Sequence, residues 1–187
     1  MNCLIIISHP DKNSFEYKSC LQTIKMLYKK AGHDVAVLDL YLDGYNPSLF
    51  VGDLSRINDN ALAKSYRNYI KRANHIYIIS PTRWISLSPL LEGFIDQIFI
   101  KDFAFKDGKP KLLNKKLHLI STSTSPESLK FKTFNLLWVR LRLMVFPYIF
   151  KFSNIRVTQL WSIKNKSRAQ LNKELLKLRK IIQKNVD

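Results

Sequence analysis

Three loops in this 187-residue chain hold residue types able to do chemistry. The first is Ser8-His9-Pro10-Asp11-Lys12-Asn13-Ser14-Phe15, which runs directly into a helix-forming stretch. The first amides of a helix and its dipole favour a phosphate. His9 and Lys12 add donors, and Asp11 opposes an anion locally. The same residues also make an ordinary capped turn with Ser14 as the cap. The second loop is Pro81-Thr82-Arg83-Trp84-Ile85. Trp84 stands outside any core period, so it either stacks on a planar ring or packs beneath its own loop. Arg83 either stabilises negative charge on a bound group or faces solvent. The third loop, Ser121-Thr122-Ser123-Thr124-Ser125, offers hydroxyl and amide groups, and reads equally as a plain Ser/Thr turn.

Each loop follows an apolar strand. Cys3 to Ile7 is a continuous apolar run, the pattern of a strand buried on both faces. A helix follows, with Tyr17, Leu21, Ile24, Tyr28 and Ala31 on one face and Lys29, Lys30 and Gly32 at its end. Strands are expected at Asp34 to Leu40, His75 to Ser80, Leu117 to Thr122 and Asn154 to Leu160. Helices are expected over Leu54 to Arg72, Pro89 to Phe99 capped by Ser88, roughly Glu127 to Ile149 with a break near Pro147, and onward from Ser167. Ser167 and Gln170 have capping-box spacing, and Leu171, Leu175, Leu178 and Ile182 form the buried stripe behind them. Phe103 to Lys111, with Asp107-Gly108 at its centre, reads as a small loop or hairpin.

Strand and helix alternate five times, which predicts an α/β domain spanning 1–187, with a parallel sheet and helices on both faces. In a doubly wound sheet of order 2-1-3-4-5, ligands sit beyond the carboxyl ends of strands one and three. All three loops map to that edge. A phosphate seat, an aromatic platform and a polar strip together describe a mononucleotide with a flat, hydrogen-bonding ring, that is, a flavin.

Composition sets outer bounds. The chain has 31 basic and 14 acidic residues, a net charge of +17, which favours anionic partners or reflects solvated lysine-rich faces. The lysines run from Lys12 to Lys184 without clustering, so nucleic-acid binding is not expected. Cys3 and Cys20 form no CxxC and no metal-ligand cluster, and free thiols suit a cytoplasmic protein. No signal peptide is expected ahead of the first strand. Arg140 and Arg142 interrupt the apolar run Phe134 to Phe150, which argues against a membrane span.

The chain also carries His9, Pro10, Ser14 and Phe15 after the opening strand, and Pro81, Trp84, Pro89, Leu91, Gly93 and Asp96 after the third. Phe103-Ala104-Phe105 follows, then Leu112, Leu113, Lys115 and Lys116. In these motifs, over nearly its whole length, the sequence resembles the flavodoxin-like NAD(P)H:quinone oxidoreductases, the group that includes potassium-efflux ancillary proteins and modulators of drug activity. The resemblance implies bound FMN, with FAD the alternative, NADPH or NADH as electron donor, a quinone or similar small acceptor, and a homodimer. It implies that His9, Asn13, Ser14 and Phe15 hold the phosphate. Pro81, Thr82, Arg83, Trp84 and Ile85 would flank the isoalloxazine edge, with Trp84 and Arg83 nearest the reaction. Ser121, Thr122 and Ser123 would meet the pyrimidine side. A second reading is a flavin-binding regulatory subunit of a membrane transport system, with the Arg-containing segment Leu136 to Phe150 facing a membrane or partner. A phospho-acceptor domain on this fold needs an aspartate ending the third strand, where this chain has Ser80-Pro81.

Overall fold

The structure is a computed structural model of the chain and describes residues 1–48, 61–82, 86–126, 141 and 145–186. Strands β1 (Asn2–Ile7), β2 (Asp34–Asp39), β3 (His75–Pro81), β6 (Lys116–Thr122) and β7 (Ile155–Leu160) form one parallel sheet in the order β2-β1-β3-β6-β7. This is the expected 2-1-3-4-5 arrangement. The apolar runs explain it. Ile5, Ile6 and Ile7 are fully buried, and burying each isoleucine side chain is worth roughly 1.5–3 kcal/mol. A strand that is apolar on both sides needs cover on both sides.

Among the described residues, most of that cover comes from two helix pairs. Helix α1 runs through Glu16–Leu21 and Gln22–Lys30, and α4 spans Arg168–Val186. They pack Ile24, Tyr28, Leu178 and Ile182 against Cys3, Ile5, Ile7 and Tyr77. Helices α2 (Ala61–Arg72) and α3 (Pro89–Ile98) pack Tyr66, Ile70, Leu91 and Phe94 against Leu4, Ile6, Ile76 and Ile78. Alternate residues of β1 thus feed opposite layers, as the period of two in a strand requires.

The helix ends follow local chemistry. Gly32, at φ +73°, closes α1, with the His33 amide reaching the Tyr28 carbonyl at 3.0 Å. A left-handed residue after the last turn is the usual way to satisfy those carbonyls. Ala31, expected on the buried stripe, is exposed, because it stands past the last helical residue, Lys30. At α4 the Ser167 amide donates to Gln170 Oε1 at 2.8 Å, and the Gln170 amide donates to Ser167 Oγ at 3.3 Å. The capping box is therefore present. The first turns of α1, Glu16–Leu21, are π-helical, a widened turn that sequence periodicity does not reveal.

β4 (Phe105–Lys106) and β5 (Lys109–Pro110) form the expected hairpin. Asp107 and Gly108 both have positive φ, +49° and +71°, the backbone of a two-residue type I′ turn. The expected helix over Glu127 to Ile149 lies mostly outside the described residues. A 3-10 turn at Phe146–Tyr148 stands where Pro147 was expected to break it. The expected helix start at Leu54 also lies outside them. Cys3 and Cys20 are buried free thiols, and burial pushes the Cys3 thiol up to about 12. Among the described residues, no helix is long and apolar enough to cross a membrane.

Candidate functional site

The chain runs from β1 outward to β2, then returns past β1 to β3, so the strand order reverses between β1 and β3. Connections that leave in opposite directions open a crevice at that point. Three buried serines lie at its base. Ser8 follows β1, Ser80 lies near the end of β3, and Ser88 starts α3; they are 0%, 0% and 2% exposed. Ser8 Oγ and Ser88 Oγ are 2.6 Å apart. Ser80 Oγ donates to Ser88 Oγ at 3.3 Å and accepts the Ser88 amide at 3.2 Å.

Sequence reasoning casts Ser88 as the cap of α3. The hydroxyl makes no cap hydrogen bond. It is turned toward the strands, and Glu92 takes over the helix start by accepting the Leu87 amide at 3.1 Å and the Ser86 hydroxyl at 2.5 Å. The three hydroxyls pin β1, β3 and α3 together below the crevice. Buried polar groups normally pair in this way.

The loop after β1 brings His9, Asn13, Ser14 and Phe15 to the start of α1. The Asp11 amide donates to His9 Nδ1 at 3.0 Å, and the Asn13 amide donates to Asp11 Oδ1 at 2.7 Å. Asp11 therefore has a local partner within the loop. Ser14 Oγ accepts the Tyr17 amide at 3.4 Å, a long contact and a weak cap. The first amides of a helix have no intrahelical partner, and here they sit at the crevice. Glu16 is buried and points into the protein: it accepts the Thr122 hydroxyl, and its Oε2 lies 3.8 Å from His9 Nε2.

The loop after β3 is anchored at its start, where the Thr82 amide donates to the Thr122 carbonyl at 2.6 Å. Pro81 and Thr82 are half-buried at this edge. Arg83, Trp84 and Ile85 lie outside the described residues. The last two residues of β6, Ser121 and Thr122, and Ser123 just after it stand at the same edge, all buried. Their hydroxyls have protein partners: Thr82 for Ser121, Glu16 for Thr122, and the Ser125 amide for Ser123 at 3.1 Å. The Ser123 amide donates to the Leu160 carbonyl at 2.8 Å.

β7 adds residues that sequence reasoning missed. Gln159 is in register with Ser121, and its Nε2 lies 3.5 Å from Thr82 Oγ1. Gln159 Oε1 and the ring Nε1 of Trp161 are buried without a hydrogen-bond partner among the described residues. Among the described residues, one acceptor and one donor therefore stand unpaired at the carboxyl edge. Only their place at the end of the last strand would have pointed to them in the sequence.

The chain has known relatives. It is 27% identical over 109 residues to an uncharacterized NAD(P)H oxidoreductase of Haemophilus influenzae, covering 57% of this chain and 54% of that one. It is 24% identical over 152 residues to NAD(P)H dehydrogenase (quinone) 1 of Cavia porcellus, covering 67% and 54% respectively. The chain spans about half the length of these curated relatives. Among solved structures it resembles Smu.1420 from Streptococcus mutans UA159, with a TM-score of 0.85 and 26% identity over 98% of this chain and 100% of that one. It shares its fold with an FMN-dependent NADH-azoreductase from Bacillus anthracis str. Ames Ancestor, in complex with FMN, at TM-score 0.79 and 13% identity over 100% of both chains. A family described as having the flavodoxin-like fold matches residues 1–182. Sheet order, crevice and sequence agree, and the chain belongs to the family with the flavodoxin-like fold.

Proposed function

We propose that the chain is an FMN-dependent NAD(P)H oxidoreductase that reduces a quinone or similar small acceptor at the crevice between β1 and β3. The observation that carries this reading is the convergence of the β1, β3 and β6 loops on one edge at the point where the strand order reverses. The relatives named as NAD(P)H oxidoreductase and NAD(P)H dehydrogenase (quinone) support the reaction class. The similar fold that carries FMN supports the cofactor.

The residues present suit that cofactor. The start of α1 offers backbone amides to a phosphate, with His9, Asn13, Ser14 and Phe15 around it. The two nearby carboxylates are already engaged, Asp11 by the Asn13 amide and Glu16 by Thr122. The unpaired Gln159 Oε1 and Trp161 Nε1 suit the polar edge of a ring. Ser121, Thr122 and Ser123 act through the backbone they fix, since their hydroxyls are occupied by the protein. In this proposal Trp84 and Arg83, with Pro81, Thr82 and Ile85, would flank the flavin ring. Bound FMN would supply the two-electron chemistry between nicotinamide and acceptor, while the protein binds, orients and excludes water.

The test is spectroscopic. Protein titrated with FMN is expected to give a saturable, perturbed flavin spectrum that NADPH or NADH bleaches and a quinone restores. Protein that leaves the flavin spectrum unperturbed overturns the proposal. Saturable binding without turnover replaces it with the regulatory-subunit reading.

A further inference from the structure

At the opposite edge of the sheet, the amino ends of β3, β6 and β7 border a cavity of about 420 Å³. That volume lies within the range of small-ligand sites, roughly 300–1,000 Å³. His75 and Lys116 are the first residues of their strands, and Ile155 begins the third. Tyr77, His118, Ser153, Asn154, Arg156 and, from the end of α4, Asn185 add further polar groups to the lining. Among the described residues no carboxylate lines this cavity, whereas Lys116 and Arg156 bring two cations to it.

The polar groups are held in place by their own network. Tyr28 OH pairs with His75 Nδ1 and lies 3.1 Å from Tyr77 OH, and Asn185 Nδ2 donates to Tyr77 OH at 3.2 Å. His118 Nε2 lies 2.8 Å from Thr158 Oγ1, and its ring packs on Tyr77 with centroids 5.6 Å apart. His118 is 3% exposed, and its Nδ1 has no partner among the described residues. Buried ring nitrogens are rarely left so. The local field is positive: His75 is pushed down first by burial and then by Lys116, and His118 first by burial and then by Arg156.

We propose that this cavity is a second ligand site, taking a small anion that presents a phosphate or carboxylate group to Lys116, Arg156 and the two histidines. Such a group would offset the charge of Lys116 and Arg156 and accept a hydrogen bond from His118 Nδ1 in the tautomer that carries its proton there. The proposal does not rest on the flavin reading, because the two sites lie at opposite ends of the strands.

The experiment is imidazole nitrogen NMR on the full chain, titrated with inorganic phosphate and with citrate. The expected result is a saturable shift of the His118 and His75 rings with at least one of them. Phosphate alone assigns a phosphoryl occupant, and citrate alone a carboxylate. His9 reports any binding at the β1–α1 loop in the same spectrum. The exposed pair Lys116→Gln/Arg156→Gln is expected to weaken the response about tenfold or more. The remote pair Lys101→Gln/Lys180→Gln, which removes the same charge, is expected to leave it unchanged. The proposal is overturned if neither probe moves His118 and His75, or if both pairs weaken the response equally, which would make it diffuse attraction to a basic surface.

Discussion

His75 and His118 are neutral because they are buried beside cations, and that couples stability to pH. Burial and Lys116 push His75 down to about 4, and burial and Arg156 push His118 down to about 3. Above the ordinary histidine range both rings are neutral whether the chain is folded or not, and nothing is coupled. As pH falls through about 6.5, the unfolded chain takes up protons that the folded chain refuses, so stability falls. The loss continues until the folded values are reached, near 4 and 3. Between pH 7 and pH 5, each ring is expected to remove up to about 2 kcal/mol of unfolding free energy. Urea unfolding at the two pH values checks this, and His118→Gln is expected to reduce the difference; a slope unchanged by the substitution would place the coupling elsewhere. At this scale the sequence was only partly legible. The loops named His9, Ser14, Thr82 and Ser121 as edge residues, and the structure puts them at one edge. The pairings of Ser8 with Ser88 and of Glu16 with Thr122 escaped notice because the partners are far apart in the chain. Ser8 and Ser88 are 80 residues apart, and Glu16 and Thr122 are 106 apart. No local pattern encodes such pairs.

The elements depend on one close approach that composition hides. A Cβ placed on Gly93 of α3 would lie 2.5 Å from Pro47 Cβ and 2.7 Å from the Pro47 carbonyl oxygen. Backbone and a proline ring cannot yield cheaply. Gly93→Ala is therefore expected to destabilise the protein by about 1–3 kcal/mol, read as a lower denaturation midpoint. A midpoint within error of the parent would show that the loop after β2 moves freely away from α3. That loop is fixed by more than the glycine: Gln97 Oε1 accepts from Tyr45 OH at 2.6 Å, and Gln97 Nε2 donates to the Asn46 carbonyl at 3.2 Å. Secondary structure was legible because buried parallel strands are apolar on both faces, so β1 and β3 announce themselves without tertiary information. The capping box at Ser167 and the Asp107-Gly108 turn were legible for the opposite reason, since they are purely local. Ser88 holds the N-cap position that its local setting announced, but its hydroxyl turns to Ser8 and Ser80, partners that only the approach of β1 and β3 supplies.

The whole molecule carries 31 basic against 14 acidic residues. Like charges spread over one surface repel, and the compact state brings them closest. Added salt screens that repulsion over about 10 Å at 0.1 M. The thermal midpoint is expected to rise as sodium chloride is increased from low to moderate concentration at neutral pH. A falling midpoint would mean that favourable ion pairs, such as those joining Lys166 and Lys177 to Glu174, outweigh the net repulsion. The widened opening of α1 matters on the same scale. A π-helical turn accommodates one residue more than the regular helix. In chain length, Glu16–Leu21 holds a single extra residue between β1 and the body of the helix. Removing one residue would turn everything before it by about 100° around the axis. Glu16 would swing off Thr122, and the His9-to-Phe15 loop would need a new path. The spacing of this segment is therefore under tighter constraint than its composition: exposed Lys18 can be replaced, but the count of residues between Ser14 and Ile24 cannot.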